Sequence, residues 1–268
     1  VKNTQRQGWG PGEQAEQHYL IQPRALAGGG DVRHVSEFLR ASGWRVKAKA
    51  GGGPLLMESP DRTVRVGYDP YNLPGGWTLH GRTQGPGGQW WVHLGQQAPV
   101  EIVAGLTDAL THPRPAHAPN VWAPLERQGW RTRFVGEHYT ATSADGTAWV
   151  QYHRSGNGAA MWWAGAQDQQ GNGWTARLSP STPMHVVQAF AAALAHPDPL
   201  MRPRGRVPLS AQIRTWSVSV TPSQLSAWQQ ARITAARAAT WARNSARHTR
   251  PRTTARPHAP YGGLRTHR

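Results

Sequence analysis

An internal repeat limits the fold of this chain more than any other feature, and overlooking one misreads a whole architecture. Gly43-Trp44 recurs as Gly129-Trp130, and Ser59-Pro60-Asp61 recurs as Ser143-Ala144-Asp145. Val66 and Tyr68 return as Val150 and Tyr152, and Trp90 and Leu94 as Trp174 and Leu178. Thr111-His112-Pro113 is answered by Ala195-His196-Pro197. All lie at an offset of about 84–86 residues and in one order, with a two-residue deletion implied between Trp130 and Ser143.

Each copy reads alike. A short amphipathic helix comes first, with Val35, Phe38 and Leu39 at i, i+3, i+4. Its counterpart, Val121 to Leu125, holds Pro124, which is tolerated only in a first turn. Gly43 and Gly129 are placed to cap these helices in the left-handed conformation. Strand-like runs follow: Trp44 to Val46, Leu55 to Glu58, Val64 to Tyr68, Trp77 to Arg82 and Trp90 to Leu94. Ser59-Pro60-Asp61-Arg62 and Ser143-Ala144-Asp145-Gly146 carry turn chemistry. A second helix closes each copy, with Val103, Leu106 and Leu110 as one buried stripe and Val187, Phe190 and Leu194 as the other. A unit this small buries only about 60% of its surface, so the copies are expected to pack on each other. The expected fold class is α+β: two tandem α-β(4–5)-α repeats packed as a pseudo-two-fold pair, plus a C-terminal helix and a basic disordered tail.

Tyr19-Leu20-Ile21-Gln22-Pro23-Arg24 leading into Leu26 to Asp31, the Gly-Trp pair, the Ser-Pro-Asp turn and the closing apolar helix together resemble the SPDY domain family, over residues 19–200. The resemblance implies a domain of unknown function, known mainly from filamentous actinomycetes and often present twice. It implies no activity for any residue. Arg62 stands where the family has Tyr, and copy two reads Ser143-Ala144-Asp145-Gly146. The expected divisions are an arm over 1–18, repeats over 19–116 and 117–200, an Arg/Pro linker with a short strand over 201–220, a helix over 221–243 and a disordered tail over 244–268.

The formal net charge of +16 is concentrated at one end, because residues 201–268 hold thirteen arginines and no Asp or Glu. Such asymmetry points to a polyanion, nucleic acid ahead of an anionic membrane surface. Arg202-Pro203-Arg204-Gly205-Arg206-Val207-Pro208 is similar to an AT-hook core, which lays an extended Arg-Gly-Arg into a minor groove. The competing reading is a plain Pro/Arg linker. Ile213 to Val220 alternates like a strand that could join a sheet edge. Thr221-Pro222-Ser223-Gln224 opens a helix with a capping box. Leu225, Trp228, Ala231, Ala235, Ala239 and Ala242 line one side of it, and Arg232, Arg243 and Arg247 another. That helix either tracks phosphates or docks its Trp/Ala stripe on the body. From Asn244 on, too little apolar surface remains to offset ordering entropy.

Several chemistries fail on composition or spacing. There is no cysteine, which removes disulfides, thiolate metal sites and Cys nucleophiles and fits a cytoplasmic location. No signal-peptide core follows the polar N-terminus, and no apolar stretch spans a membrane. His80 and His93, on adjacent candidate strands, lack a third metal ligand. Glu137-His138 and Asp145 read as a hairpin and a turn rather than as an acid–base pair. The triplets Gly28–Gly30 and Gly51–Gly53 lack a phosphate-loop context, and Ser59 lacks a nucleophile elbow. No catalytic residue, metal or cofactor is assigned.

Tryptophan offers more. Trp77, Trp90, Trp91, Trp162, Trp163 and Trp174 fall on strand-like runs, and adjacent pairs put one ring on each sheet face. Exposed rings beside Arg65, Arg82 or Arg177 would form a stacking platform for bases, unless the rings fill the seam between copies. The expected function is non-enzymatic nucleic-acid binding, DNA ahead of RNA, with a protein-interaction module as the alternative. The expected contacts are Arg202, Arg204, Arg206, Arg232, Arg243, Arg247, Arg250, Arg252, Arg256, Trp77, Trp91 and Trp163. Oligomeric state is left open.

Overall fold

A computed structural model describes residues 13–49, 54–72, 75–82, 88–112, 117–154 and 160–248. Strand β1 (Glu16–Gln22) leads into the first copy: α1 (Arg33–Ala41), β2 (Arg45–Lys49), β3 (Leu55–Glu58), β4 (Val64–Asp69), β5 (Gly76–Arg82), β6 (Gln89–Gly95) and α2 (Val100–Thr111). The second copy follows: α3 (Ala123–Arg127), β7 (Arg131–Val135), β8 (His138–Thr142), β9 (Ala148–Arg154), β10 (Ala160–Gln167), β11 (Gly173–Leu178) and α4 (Met184–Ala195). Then come β12 (Leu200–Pro203), β13 (Arg214–Val220) and α5 (Pro222–His248). The chain is a mixed α/β protein with mostly antiparallel sheets.

Local chemistry repeats with the sequence. Gly43 and Gly129 are left-handed, with φ of 90° and 72°. Each lets the tryptophan after it donate its N–H back into the helix, Trp44 to Leu39 O at 3.0 Å and Trp130 to Leu125 O at 3.1 Å. Both rings are thereby turned into the core. The Ser-x-Asp turns are built alike. Ser59 Oγ donates to Asp61 Oδ1 at 2.6 Å and accepts from Val64 N at 3.0 Å. Ser143 Oγ does the same with Asp145 at 2.6 Å and Ala148 N at 2.9 Å. In each turn the aspartate also accepts from the backbone and hydroxyl of the next Thr, Thr63 or Thr147. The fourth turn residue is left-handed in both, Arg62 at φ 60° and Gly146 at φ 76°.

The strands form one ten-stranded sheet in the order β2-β3-β4-β5-β6-β11-β10-β9-β8-β7. Each copy is a five-stranded meander, and the two meet edge to edge where β6 pairs with β11, Val92 opposite Leu178 and Leu94 opposite Ala176. The seam is extended by Ser179: its N–H donates to Trp91 O at 2.9 Å and its Oγ accepts from Trp91 N at 3.0 Å. Helices α2 and α4 pack together over the seam. They approach so closely that a Cβ on Gly105 would lie 2.4 Å from Ala193 Cβ. One continuous core results, running from Val35, Leu39 and Leu79 through Leu94 and Leu178 to Phe190.

The expected divisions need correction at both ends. Residues 19–22, assigned to the first repeat, lie in β1 of a separate three-stranded sheet, β12-β1-β13. Residues 201–220 hold the expected short strand, β13, paired to β1, and also most of a second strand, β12, so that this stretch clasps the N-terminal segment from both sides. The α5 capping box is present, with Thr221 N donating to Gln224 Oε1 at 3.0 Å and Gln224 N to Thr221 Oγ1 at 3.3 Å. The docked face of α5 differs from the expected one. Ile233 and Ala236 are buried, whereas Trp228 is exposed, as are Ala231, Ala235, Ala239 and Ala242. The Trp/Ala stripe faces solvent because Arg232 anchors the helix from another side. Residues 1–12 of the expected arm and the tail beyond His248 lie outside the described residues, Glu16 to His18 of the arm belong to β1, and α5 continues through 244–248.

Candidate nucleic-acid interface

Because side chains alternate across a strand, the sheet sorts its residues onto two faces. Helices cover the face that carries Met57, Val66, Trp77, Leu79, Trp90, Val92, Trp162, Ala164, Trp174 and Leu178, all buried. The other face is open, as the alternation of buried and exposed residues along β6 and β11 records. It carries Arg45, Lys47, Arg65, Arg82, Arg131, Arg133 and Arg177. With them stand His80, His93, His138 and His153, and the half-buried rings of Trp91, Trp149 and Trp163.

Two carboxylates lie on the open side of the described strands, and neighbours hold both. Glu58 is bracketed by Lys47 Nζ at 2.9 Å and Arg65 Nη2 at 3.2 Å. The Lys47 ammonium holds the Glu58 carboxyl below its usual range, against burial and with help from Arg65. Asp69, at the sheet's end, accepts from Tyr71 N at 2.9 Å and from Asn72.

Register lines up one row across seven strands: Arg133, Thr140, Gln151, Trp163, Arg177, His93, Thr78. It crosses the seam between Arg177 and His93. Arg177 lays its guanidinium 4.4 Å from the Trp163 ring centroid, a cation–π contact. His93 lies edge-on to Trp91 at 5.0 Å and to His80 at 5.7 Å. Burial, and then the nearness of His80 and Arg177, pushes the His93 imidazole below its ordinary value. Across β8 and β9, His138 Nδ1 and His153 Nδ1 are 2.6 Å apart. Among the described residues no group of three or more His, Asp or Glu converges as a metal site. No described helix is long and apolar enough to cross a membrane.

The expected contacts divide sharply. Trp91 and Trp163 lie on the open face, but Trp77 is 2% exposed, packed against Tyr68 on the helix side, where no base can reach it. Arg202 is also removed from the set. Its five N–H groups are all spent inside the protein: two on Glu101 at 2.7 and 2.8 Å, and three on the carbonyls of Ala27, Gly28 and Met201 at 3.0, 2.9 and 2.8 Å. Burial opposes ionisation of Glu101, and the Arg202 guanidinium outweighs it, so its carboxyl stays below the ordinary range. The AT-hook reading falls with Arg202, since Arg204–Arg206 forms a tight 3-10 turn rather than an extended strand.

Arg204 and Arg206 themselves are exposed. Arg232 forks onto Asp108 at 2.7 and 2.8 Å and covers the Phe38 ring at 4.2 Å, so it fastens α5 to the body instead of facing a phosphate. Arg243 and Arg247 fall in the last turns of α5. Arg250, Arg252 and Arg256 lie outside the described residues. Sequence reading missed Arg131, Arg133, Trp149 and the His138–His153 pair. Alternation along β7 to β9, transferred from the better-marked first copy through the repeat, is the signal that could have found them.

Two segments, residues 58–116 and 142–200, each match the family model SPDY, described as a domain of unknown function (DUF317). No curated protein and no solved structure matches the chain. Each matched segment opens where a strand enters the Ser-x-Asp turn and runs past the closing helix, so the hydrogen-bonded turn described above lies at the start of both matches. The chain thus carries the SPDY domain twice in tandem, over residues 58–116 and 142–200.

Proposed function

We propose that this is a non-enzymatic nucleic-acid-binding protein, with DNA ahead of RNA as its partner, in which the two copies act as a pseudo-two-fold pair. The observation that carries the reading is the open sheet face, where, among the described strand residues, the cations from Arg45 to Arg177 meet two carboxylates, both locally engaged. The acid-free C-terminal region adds sequence-independent attraction for phosphate. Exposed Arg204, Arg206, Arg214 and Arg237 belong to that supply.

The test is fluorescence anisotropy of the full chain with labelled single-stranded and duplex oligonucleotides across about 50–200 mM salt. If about 6–10 phosphates are neutralised, affinity falls by about 10³–10⁵ over that range. A chain ending at His248 loses five arginines and should bind more weakly with a shallower salt slope. Ending it after Leu200 is uninformative, because β12, β13 and α5 are packed parts of the body. Absence of binding at low ionic strength refutes the reading.

A protein-interaction module is the second reading, and one observation favours it. Edge strand β7 exposes all five residues, with Phe134 at 57% and Val135 at 55%. An edge of this kind can take an added strand. Salt-insensitive association with a protein, without a nucleic-acid shift, would select it.

A further inference from the structure

Resting on the nucleic-acid reading, we propose that the open sheet face is a platform for single-stranded nucleic acid, laid across the strands and over the seam between the two copies. Three features set the occupant. The first is charge: the row from Arg133 to Thr78 contains no carboxylate and is flanked by Arg65, Arg82 and Arg131. Its complement is a polyanion.

The second is ring chemistry. Trp91 and Trp163 are half-buried in a sheet, so they offer ring faces and edges at the level of the sheet rather than protruding wedges. An unpaired base can lie on such a ring, or on the Arg177 guanidinium already seated over Trp163. A duplex cannot stack on them in the same way, because its base faces are already stacked inside the helix.

The third is length. Seven strands at about 4.8 Å spacing put the ends of the row about 29 Å apart, which suits the low end of the 4–16 nucleotides, roughly, that a single-strand-binding domain holds. Neither copy alone provides the row. Trp163 and Arg177 come from the second copy, and His93 and Trp91 from the first. Duplication is thus what completes the platform.

Full-length protein is titrated with labelled single strands of about 12 nucleotides, oligo-dT and oligo-U in separate arms, and with a duplex of the same length. The variants are Trp91→Leu, Trp163→Leu and Arg177→Gln, each checked for folding by its thermal melt. Arg177 is exposed, so R177Q keeps the test sound if a Trp variant fails to fold. Each folded variant should lose about tenfold in single-strand affinity, the loss of one stacked base, and duplex affinity should fall by a clearly smaller factor, under twofold for the two Trp variants, with Arg177→Gln losing in addition the charge that either form can meet. Single strands should also quench the intrinsic tryptophan fluorescence of the unaltered chain. Equal loss for single strand and duplex, or no loss in folded variants, overturns the platform while leaving nucleic-acid binding intact. If the unaltered chain binds neither form, the underlying reading falls as well. The dT and U arms show which backbone sugar the face accepts.

Discussion

Replacing Arg202 with Met separates a structural arginine from a phosphate-binding one. Methionine keeps much of the apolar stem and removes every donor. In the native protein the Arg202 side chain is 4% exposed and Glu101 21%. The variant strands a largely buried carboxylate and leaves the carbonyls of Ala27, Gly28 and Met201 without that donor. Removing one partner of a buried pair costs about 3–5 kcal/mol. For a domain of this size that lowers Tm by about 6–20 °C, at about 2–4 °C per kcal/mol. Glu101 is held ionised by Arg202 against burial, so its carboxyl should move up in the variant. The deficit therefore shrinks as the solution is acidified toward the new Glu101 value, because the protonated acid is cheaper to bury. The assay is calorimetric or circular-dichroism melting of both chains at neutral and mildly acidic pH, with oligonucleotide affinity measured alongside. Adding Glu101→Gln should restore part of the loss, since the two changes are coupled. An unchanged Tm with weakened DNA binding would refute the argument and return Arg202 to the phosphate contacts read from sequence.

Three further outcomes follow from local geometry. Arg62 is the one non-glycine residue with positive φ among those described, where copy two has Gly146. A left-handed L-residue costs about 1–2 kcal/mol, partly offset by glycine's greater unfolded-state entropy, so Arg62→Gly should raise stability by about 0.5–1 kcal/mol in urea unfolding. Gly105→Ala must push α2 from α4, given the 2.4 Å approach to Ala193 Cβ. Overpacking of that kind costs about 1–3 kcal/mol, and hydrogen exchange along both helices should speed up.

Asp61 and Asp145 are held below the usual 3.8: burial opposes ionisation, and is outweighed by hydrogen bonds from Ser and from the Thr backbone and hydroxyl. Their stabilisation is complete above the unfolded value and is lost as pH falls through the lower folded values. Asp145→Ala should accordingly flatten the loss of Tm between about pH 5 and pH 2 relative to the native chain.

Much of the fold is legible in the residues because it rests on short-range chemistry. The left-handed caps at Gly43 and Gly129, the Thr221–Gln224 capping box and the Ser-x-Asp turns each involve neighbours a few positions apart. The closing helices show their apolar spacing directly, and Val103, Leu106, Val187, Phe190 and Leu194 are all buried. Alternation likewise states that Trp90 and Trp91 must point to opposite faces. It does not state which face the helices will cover. Trp77 and Trp91 both sit on good strands, and only the packing of the helices put the first in the core and the second on the open side.

What the sequence determined by itself is therefore the duplication, the order of elements within each copy, and the gathering of arginine without acid at one end. Tertiary structure decided the pairing of β6 with β11, the clasp of β1 by β12 and β13, and the fate of each arginine. A guanidinium's charge is a property of the residue, but its availability is a property of its neighbours. Arg202 meets Ala27 and Arg232 meets Asp108 across long stretches of chain. Such contacts depend on how whole elements dock, and no local pattern encodes that.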